Sequence, residues 1–240
     1  MNLSAMNQPQ PTVLYHTQQA TKTRRSILDV AMDIASAEGL EGLSIGRLAS
    51  ELDMSKTGIF AHFGSKEALQ IATVEAAKEV FLQEVVQPAL ASPRGVARLR
   101  AMLDCWLGYV ERIVFRGGCF FAAASAEFDS RPGRVRDQIA ALTKSWLTAI
   151  EDEIVFAQSE EQIPATVDAA QLAFELHAYV QEANWAFKLF SDKSAFSRAR
   201  QAIAGQLFST AAGDRQRHKR SIGRRPRKRG AATISARRGT

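Results

Sequence analysis

Ser44-Ile45-Gly46-Arg47-Leu48-Ala49-Ser50-Glu51-Leu52-Asp53-Met54-Ser55-Lys56-Thr57-Gly58-Ile59-Phe60-Ala61-His62-Phe63 carries one local grammar twice, with an interval of eleven residues. Ser44 and Ser55 each stand where a helix N-cap is wanted, because a serine hydroxyl accepts from a backbone N–H left free in the first turn. An apolar residue before each cap has a counterpart after it: Leu43 with Leu48, and Met54 with Ile59. That is the spacing of a hydrophobic staple. The first of these helices buries Ile45, Leu48, Ala49 and Leu52. The second is only about two turns long and stops near Phe63-Gly64, after which Ser65 caps a further helix. Upstream, Ile27, Leu28, Ala31, Ile34 and Ala35 share one helix face, and Gly39 supplies the stop. Two short helices joined by a tight turn and packed on a longer preceding one form a helix-turn-helix.

The second short helix opens with Lys56-Thr57-Gly58. A lysine in a first turn opposes the helix dipole, and a glycine inside a helix costs about 1 kcal/mol relative to alanine. Both make sense if this helix end faces phosphates and base edges, where backbone N–H groups, Lys56 and Thr57 all donate and Gly58 permits close approach. Lys66 repeats the mis-signed charge at the start of the fourth helix. Ser44 and Arg47 begin the helix that should cross the DNA backbone. Phe60 and His62 end the reading helix, and Arg24 on the preceding helix completes the candidate set.

Thr23 to Phe81 resembles the N-terminal domain of the tetracycline-repressor (TetR) family of bacterial regulators. The resemblance is carried by Ser44 to Ala49 and by Met54 through Lys66-Glu67-Ala68-Leu69. It implies an all-α homodimer with a small DNA-binding domain and a larger ligand-sensing one. Its partners would be double-stranded operator DNA and a small-molecule effector whose binding relieves repression. The family usually has a tyrosine at Phe60, whose hydroxyl meets a phosphate; Phe60 cannot donate, which leaves an apolar contact to a thymine methyl. Gly118-Cys119-Phe120-Phe121 through Glu127-Phe128-Asp129 to Arg131-Pro132-Gly133 resembles one branch of the family and fixes no ligand.

Outside the head, residues 1–20 read as a flexible arm, 21–68 as the DNA-binding domain, 69–212 as a helical sensing and dimerisation domain, and 213–240 as a disordered basic tail. Pro88 and Pro93 should close the fourth helix, whose stripe is Leu69, Ala72, Ala76 and Val80, and Gly117-Gly118 should end the helix that follows. The helix from about Pro164 to Phe190 has one stripe of Leu172, Leu176, Val180, Ala183 and Phe187, and another of Phe174, Ala178, Trp185 and Leu189. A helix apolar on two faces should be buried on two sides, one of them against a partner subunit. Trp106, Tyr109, Phe120, Phe121, Phe128, His177 and Trp185 are candidates to line an effector pocket; ordinary core packing is the alternative for each.

The net charge of +6 is uneven. Eleven basic residues and one acid lie between Asp214 and Thr240, so that segment carries +10 and the first 213 residues carry −4. The case for DNA binding by the head therefore rests on local geometry rather than overall charge. In the tail, Gly223-Arg224-Arg225-Pro226-Arg227-Lys228 is either a minor-groove hook or a polycation for any phosphate backbone. The second reading supports an alternative function, a non-specific or nucleoid-type DNA binder. No nucleotide-binding, nucleophile-elbow or zinc-hydrolase motif argues for an enzyme or a cofactor. Cys105 and Cys119 have no metal-type spacing, and two unpaired thiols suit a reducing cytoplasm.

Overall fold

In the computed structural model, which describes residues 11–207, all regular structure is helical. The first helix, α1 (Pro11–Glu38), reaches back into the segment expected to be a flexible arm. Proline's fixed φ suits a first turn, and the N–H that Pro11 lacks is one a first turn leaves unpaired anyway. No other proline or glycine then intervenes before Gly39, so nothing stops the helix, although its first turns lack the apolar periodicity that would announce it.

The repeated grammar produces α2 (Ile45–Leu52) and α3 (Lys56–Phe63). Ser44 Oγ accepts from Arg47 N–H at 3.1 Å and Ser55 Oγ from Gly58 N–H at 3.0 Å. Leu43, Leu48 and Ile59 are fully buried, so the staples close as spaced. Between the helices Asp53 takes a left-handed conformation, φ 50°, which a short polar side chain tolerates. Replacing Ser55 by alanine removes the α3 cap. The expected loss is about 1 kcal/mol, read as a fall of about 3 °C in calorimetric melting temperature.

Helix α4 (Lys66–Phe81), capped by Ser65, does not end at Pro88. It runs through a π-helical turn (Leu82–Val86) into α5 (Gln87–Leu90). The Gln87 N–H reaches back to Leu82 O, five residues away. This widening answers a specific difficulty: Pro88 has no N–H to donate, and its ring would press on the carbonyl one ordinary turn back. The buried face of α4 is also wider than the expected stripe. Thr73, Val74, Ala77 and Phe81 are buried while Ala72 and Val80 are only half-buried, because α1 packs on one side and the later helix Arg134–Ser159 on the other.

The body continues with α6 (Val96–Glu111), α7 (Phe120–Phe128), α8 (Arg134–Ser159), α9 (Ala169–Phe190) and α10 (194–207). Helix α6 stops at Glu111, short of Gly117-Gly118. Beyond it Ile113 sits at φ 55°, an unusual conformation for a β-branched residue, and opens a loop that crosses to α1. There Arg116 N–H donates to Asp33 Oδ1 at 2.9 Å and Gly117 N–H to Ser36 Oγ at 3.0 Å. From the far end of α7, the Glu127 carboxylate accepts from Leu40 N–H at 2.6 Å and Glu41 N–H at 3.0 Å. The head is thus bonded to the body at both ends of the α6–α7 region, as well as through α4. No helix among the described residues is long and apolar enough to cross a membrane.

Candidate nucleic-acid interface and effector cavity

The start of α3 faces outward. Lys56 and Thr57 are exposed, and Lys56 has no acidic partner among the described residues. Phe60 is 51% exposed on the same helix, an apolar ring half in solvent. A Cβ on Gly58 would lie 3.1 Å from Ser55 Oγ, so a larger residue there would crowd the cap. The fold therefore explains Gly58 before DNA is considered. Ser44 and Ser55 use their hydroxyls as helix caps.

The other basic candidates are differently employed. Arg47 is bound to Glu38 at 3.1 Å and Glu51 at 2.5 Å. Its hydrogen bond holds the Glu38 carboxyl below the usual carboxylate range, and the two acids raise the guanidinium pKa in return. Lys66 Nζ sits 2.8 Å from Glu41, whose carboxyl is likewise held low, first by Lys66 and then by Gln70. Arg24 donates to the His62 carbonyl at 2.6 Å and lies 4.4 Å over the Phe63 ring. It braces the end of α3 against α1, while the His62 ring is half-buried beside Phe63. Arg24, Arg47 and Lys66 are therefore not free phosphate donors in this structure. Neither the turn between α1 and α2 that brings Glu41 to Lys66 nor the approach of Glu38 to Arg47 is visible in local spacing. Arg224, Arg225, Arg227 and Lys228 lie outside the described residues.

A cavity of about 420 Å³ lies in the body, walled by residues from α4 to α9. Phe81 is part of its wall, and its ring meets Trp106, Tyr109, Phe121 and Trp146 edge-to-face, with centroids 5.0–6.2 Å away. Of the expected lining residues, Trp106, Phe121 and His177 reach the cavity. Tyr109, Phe120 and Phe128 do not; they are buried in the core behind it. Burial raises the Tyr109 phenol pKa well above its ordinary value. Trp185 lies elsewhere, half-exposed and edge-to-face with Phe190, the ring centroids 5.0 Å apart. Sequence reading did not assign Phe81, Thr143, Trp146 or Cys119 to this wall.

The polar groups at the wall are few. Trp146 Nε1 and Thr143 Oγ1 are buried without a hydrogen-bond partner. Trp106 Nε1 has only the Cys119 sulfur beside it, a weak acceptor, and burial pushes that thiol pKa up. Glu153 is also part of this wall. It accepts from Arg94 Nε at 3.0 Å and Gly95 N–H at 2.9 Å, with Arg98 at 3.7 Å. Burial lowers the His177 pKa from 6.5, keeping the ring neutral. Because the unfolded chain then takes up a proton that the native state refuses, His177 lowers stability as pH falls from about 6.5 toward 5. Urea unfolding should show a smaller loss over that range in His177→Gln than in the parent.

A family model for the bacterial regulatory proteins of the tetR family matches residues 27–73, and one for the tetracyclin repressor-like C-terminal domain matches residues 95–203. The uncharacterised helix-turn-helix transcriptional regulator YobS of Bacillus subtilis is 26% identical over 188 residues, covering 78% of this chain and 88% of its own. A TetR transcriptional regulator from Chloroflexus aurantiacus superimposes with TM-score 0.74 at 23% identity, covering 80% of this chain and 96% of that one. AibR, solved with isovaleryl coenzyme A and operator DNA, gives TM-score 0.62 at 23% identity over 78% of this chain and 97% of its own. Helix caps, staples, cavity and two family matches, one to each part of the chain, converge: this chain belongs to the tetracycline-repressor family of helix-turn-helix transcriptional regulators.

Proposed function

We propose that the chain works in the bacterial cytoplasm as a homodimeric repressor that a small molecule releases from its operator. The two α3 helices would enter successive major grooves of a pseudo-palindrome. The observation that carries this reading is the outward-facing, cationic start of α3, where Lys56 has no carboxylate to satisfy while every nearby arginine and lysine of the candidate set is engaged within the protein. Dimerisation is supported by α8 and α9, which leave Val155, Phe174, Trp185, Leu189 and Phe190 at least half-exposed. An apolar surface of this kind marks an association face, and the second stripe of α9 falls on it.

Release is supported by what ties the cavity to the head. Phe81 ends the helix that begins at Lys66 in the head. Phe121 stands on α7, whose other end carries the Glu127 clamp on the α1–α2 turn. A molecule that displaces either ring changes the setting of the two heads, provided it binds the two settings with unequal affinity. AibR, captured with an acyl-coenzyme A and operator DNA, is a relative by fold in which both ligands occur.

The test is an electrophoretic shift with DNA from upstream of the chain's own gene, using full-length protein and a version lacking residues 213–240. A repressor retains a specific band in both. Loss of nearly all binding on truncation, with no sequence preference beforehand, would establish the nucleoid-type alternative instead.

A further inference from the structure

We propose that the cavity takes an uncharged, mainly aromatic or alicyclic molecule that presents one accepting oxygen, a ketone or ester carbonyl, to Trp146 Nε1 and Thr143 Oγ1. The inference rests on the reading of this cavity as the effector site and names the chemistry that site selects. Three observations carry it.

The wall is almost wholly apolar and the volume of about 420 Å³ suits a drug-sized molecule. Within that wall, Thr143 and Trp146 stand three residues apart on α8, on one helix face, and both have buried polar atoms with no partner. A buried polar atom left unpaired is unfavourable, so an occupant that pairs it is selected over one that cannot. The indole decides the sense of the bond. It can only donate, whereas the hydroxyl can do either, so the occupant must accept.

Charge is excluded by the remaining groups. Glu153, the one buried carboxylate at the wall, is consumed by Arg94, Arg98 and the Gly95 N–H, and so offers nothing to an ammonium. Lys78 is paired with Glu75 at 3.0 Å and has Glu79 at 3.8 Å. Arg98 donates to Ser92 O at 3.0 Å in addition to facing Glu153. An ion entering the cavity would lose its hydration without gaining a free counter-charge.

The probes are methyl naphthyl ketone, isopropenylnaphthalene of the same shape without the oxygen, naphthoate, and naphthyltrimethylammonium, each titrated calorimetrically into the full-length protein. The ketone should bind about tenfold more tightly than the hydrocarbon, which corresponds to about 1.4 kcal/mol, and more tightly than either ion. Thr143→Val and Trp146→Phe should each erase most of that preference while leaving hydrocarbon binding nearly unchanged. Thr143→Val, the closer isostere, decides the matter if the tryptophan variant misfolds. Equal binding of ketone and hydrocarbon, tighter binding of either ion, or binding of none of the four overturns the proposal. A win for naphthoate or the ammonium still leaves an occupied cavity, so only the ligand class falls. If cavity-filling Ala149→Trp leaves ketone binding unchanged, the site is elsewhere and the effector-site reading falls with it.

Discussion

Lys56→Ala should lower operator affinity by about a hundredfold, whereas alanine at Arg47 or Lys66 should lower it only a few-fold. A hydrogen bond to a charged partner contributes about 1.5–3 kcal/mol, and a symmetric dimer loses it twice. Even the lower figure gives about 3 kcal/mol, which is roughly a hundredfold in binding. Arg47 and Lys66 start from a different condition. Each has a carboxylate within 3.1 Å, so contact with a phosphate means giving up an existing partner. Such exposed pairs contribute at most about 1 kcal/mol; they do not forbid the exchange, but they reduce its net gain. Fluorescence anisotropy with a labelled operator across a salt series checks both parts. Losing Lys56 should also reduce the salt slope by about two for the dimer, one for each phosphate contact. Equal losses for all three alanine variants would show that the intramolecular pairs do not govern the interface.

The second large effect belongs to Gly117. A Cβ there would stand 1.7 Å from the Ser36 carbonyl oxygen and 2.6 Å from Ala37 N. These are backbone atoms of α1, held by the helix and unable to rotate aside. Gly117→Ala must therefore separate the α6–α7 loop from α1, straining or breaking the bonds from Gly117 to Ser36 and from Arg116 to Asp33. Overpacking costs about 1–3 kcal/mol, and each lost hydrogen bond adds about 1 kcal/mol. A loss near 4 kcal/mol corresponds to a fall of about 10 °C in melting temperature for a chain of this size. Scanning calorimetry should show it, and a shift under about 2 °C would mean that the seam yields more readily than its geometry implies.

The head was legible because its signals are local. Serine caps and their staples act over four or five residues, and Leu43, Leu48 and Ile59 are buried where that spacing puts them. The outward face of α9 was legible for the same reason, a second stripe at helical period. The ion pairs that occupy Arg47 and Lys66 were not, since they depend on how the end of α1 folds back beside the head. Nor does periodicity separate a cavity wall from a core. Trp106 and Tyr109 are both inward-facing on α6, yet one reaches open space and the other packs behind it. Phe81 and Trp146 are distinguished only by what α4 and α8 place opposite them.

The chain's three tryptophans stand at two stations: Trp106 and Trp146 in the cavity wall, and Trp185 on the outer apolar face of α9. Intrinsic emission is therefore a two-channel reporter that needs no added dye. On the proposed effector site and dimer face, occupation of the interior would alter the first two fluorophores, and association with a second subunit would alter the third. Trp185→Phe silences the outer channel and leaves a protein whose light answers to the interior alone.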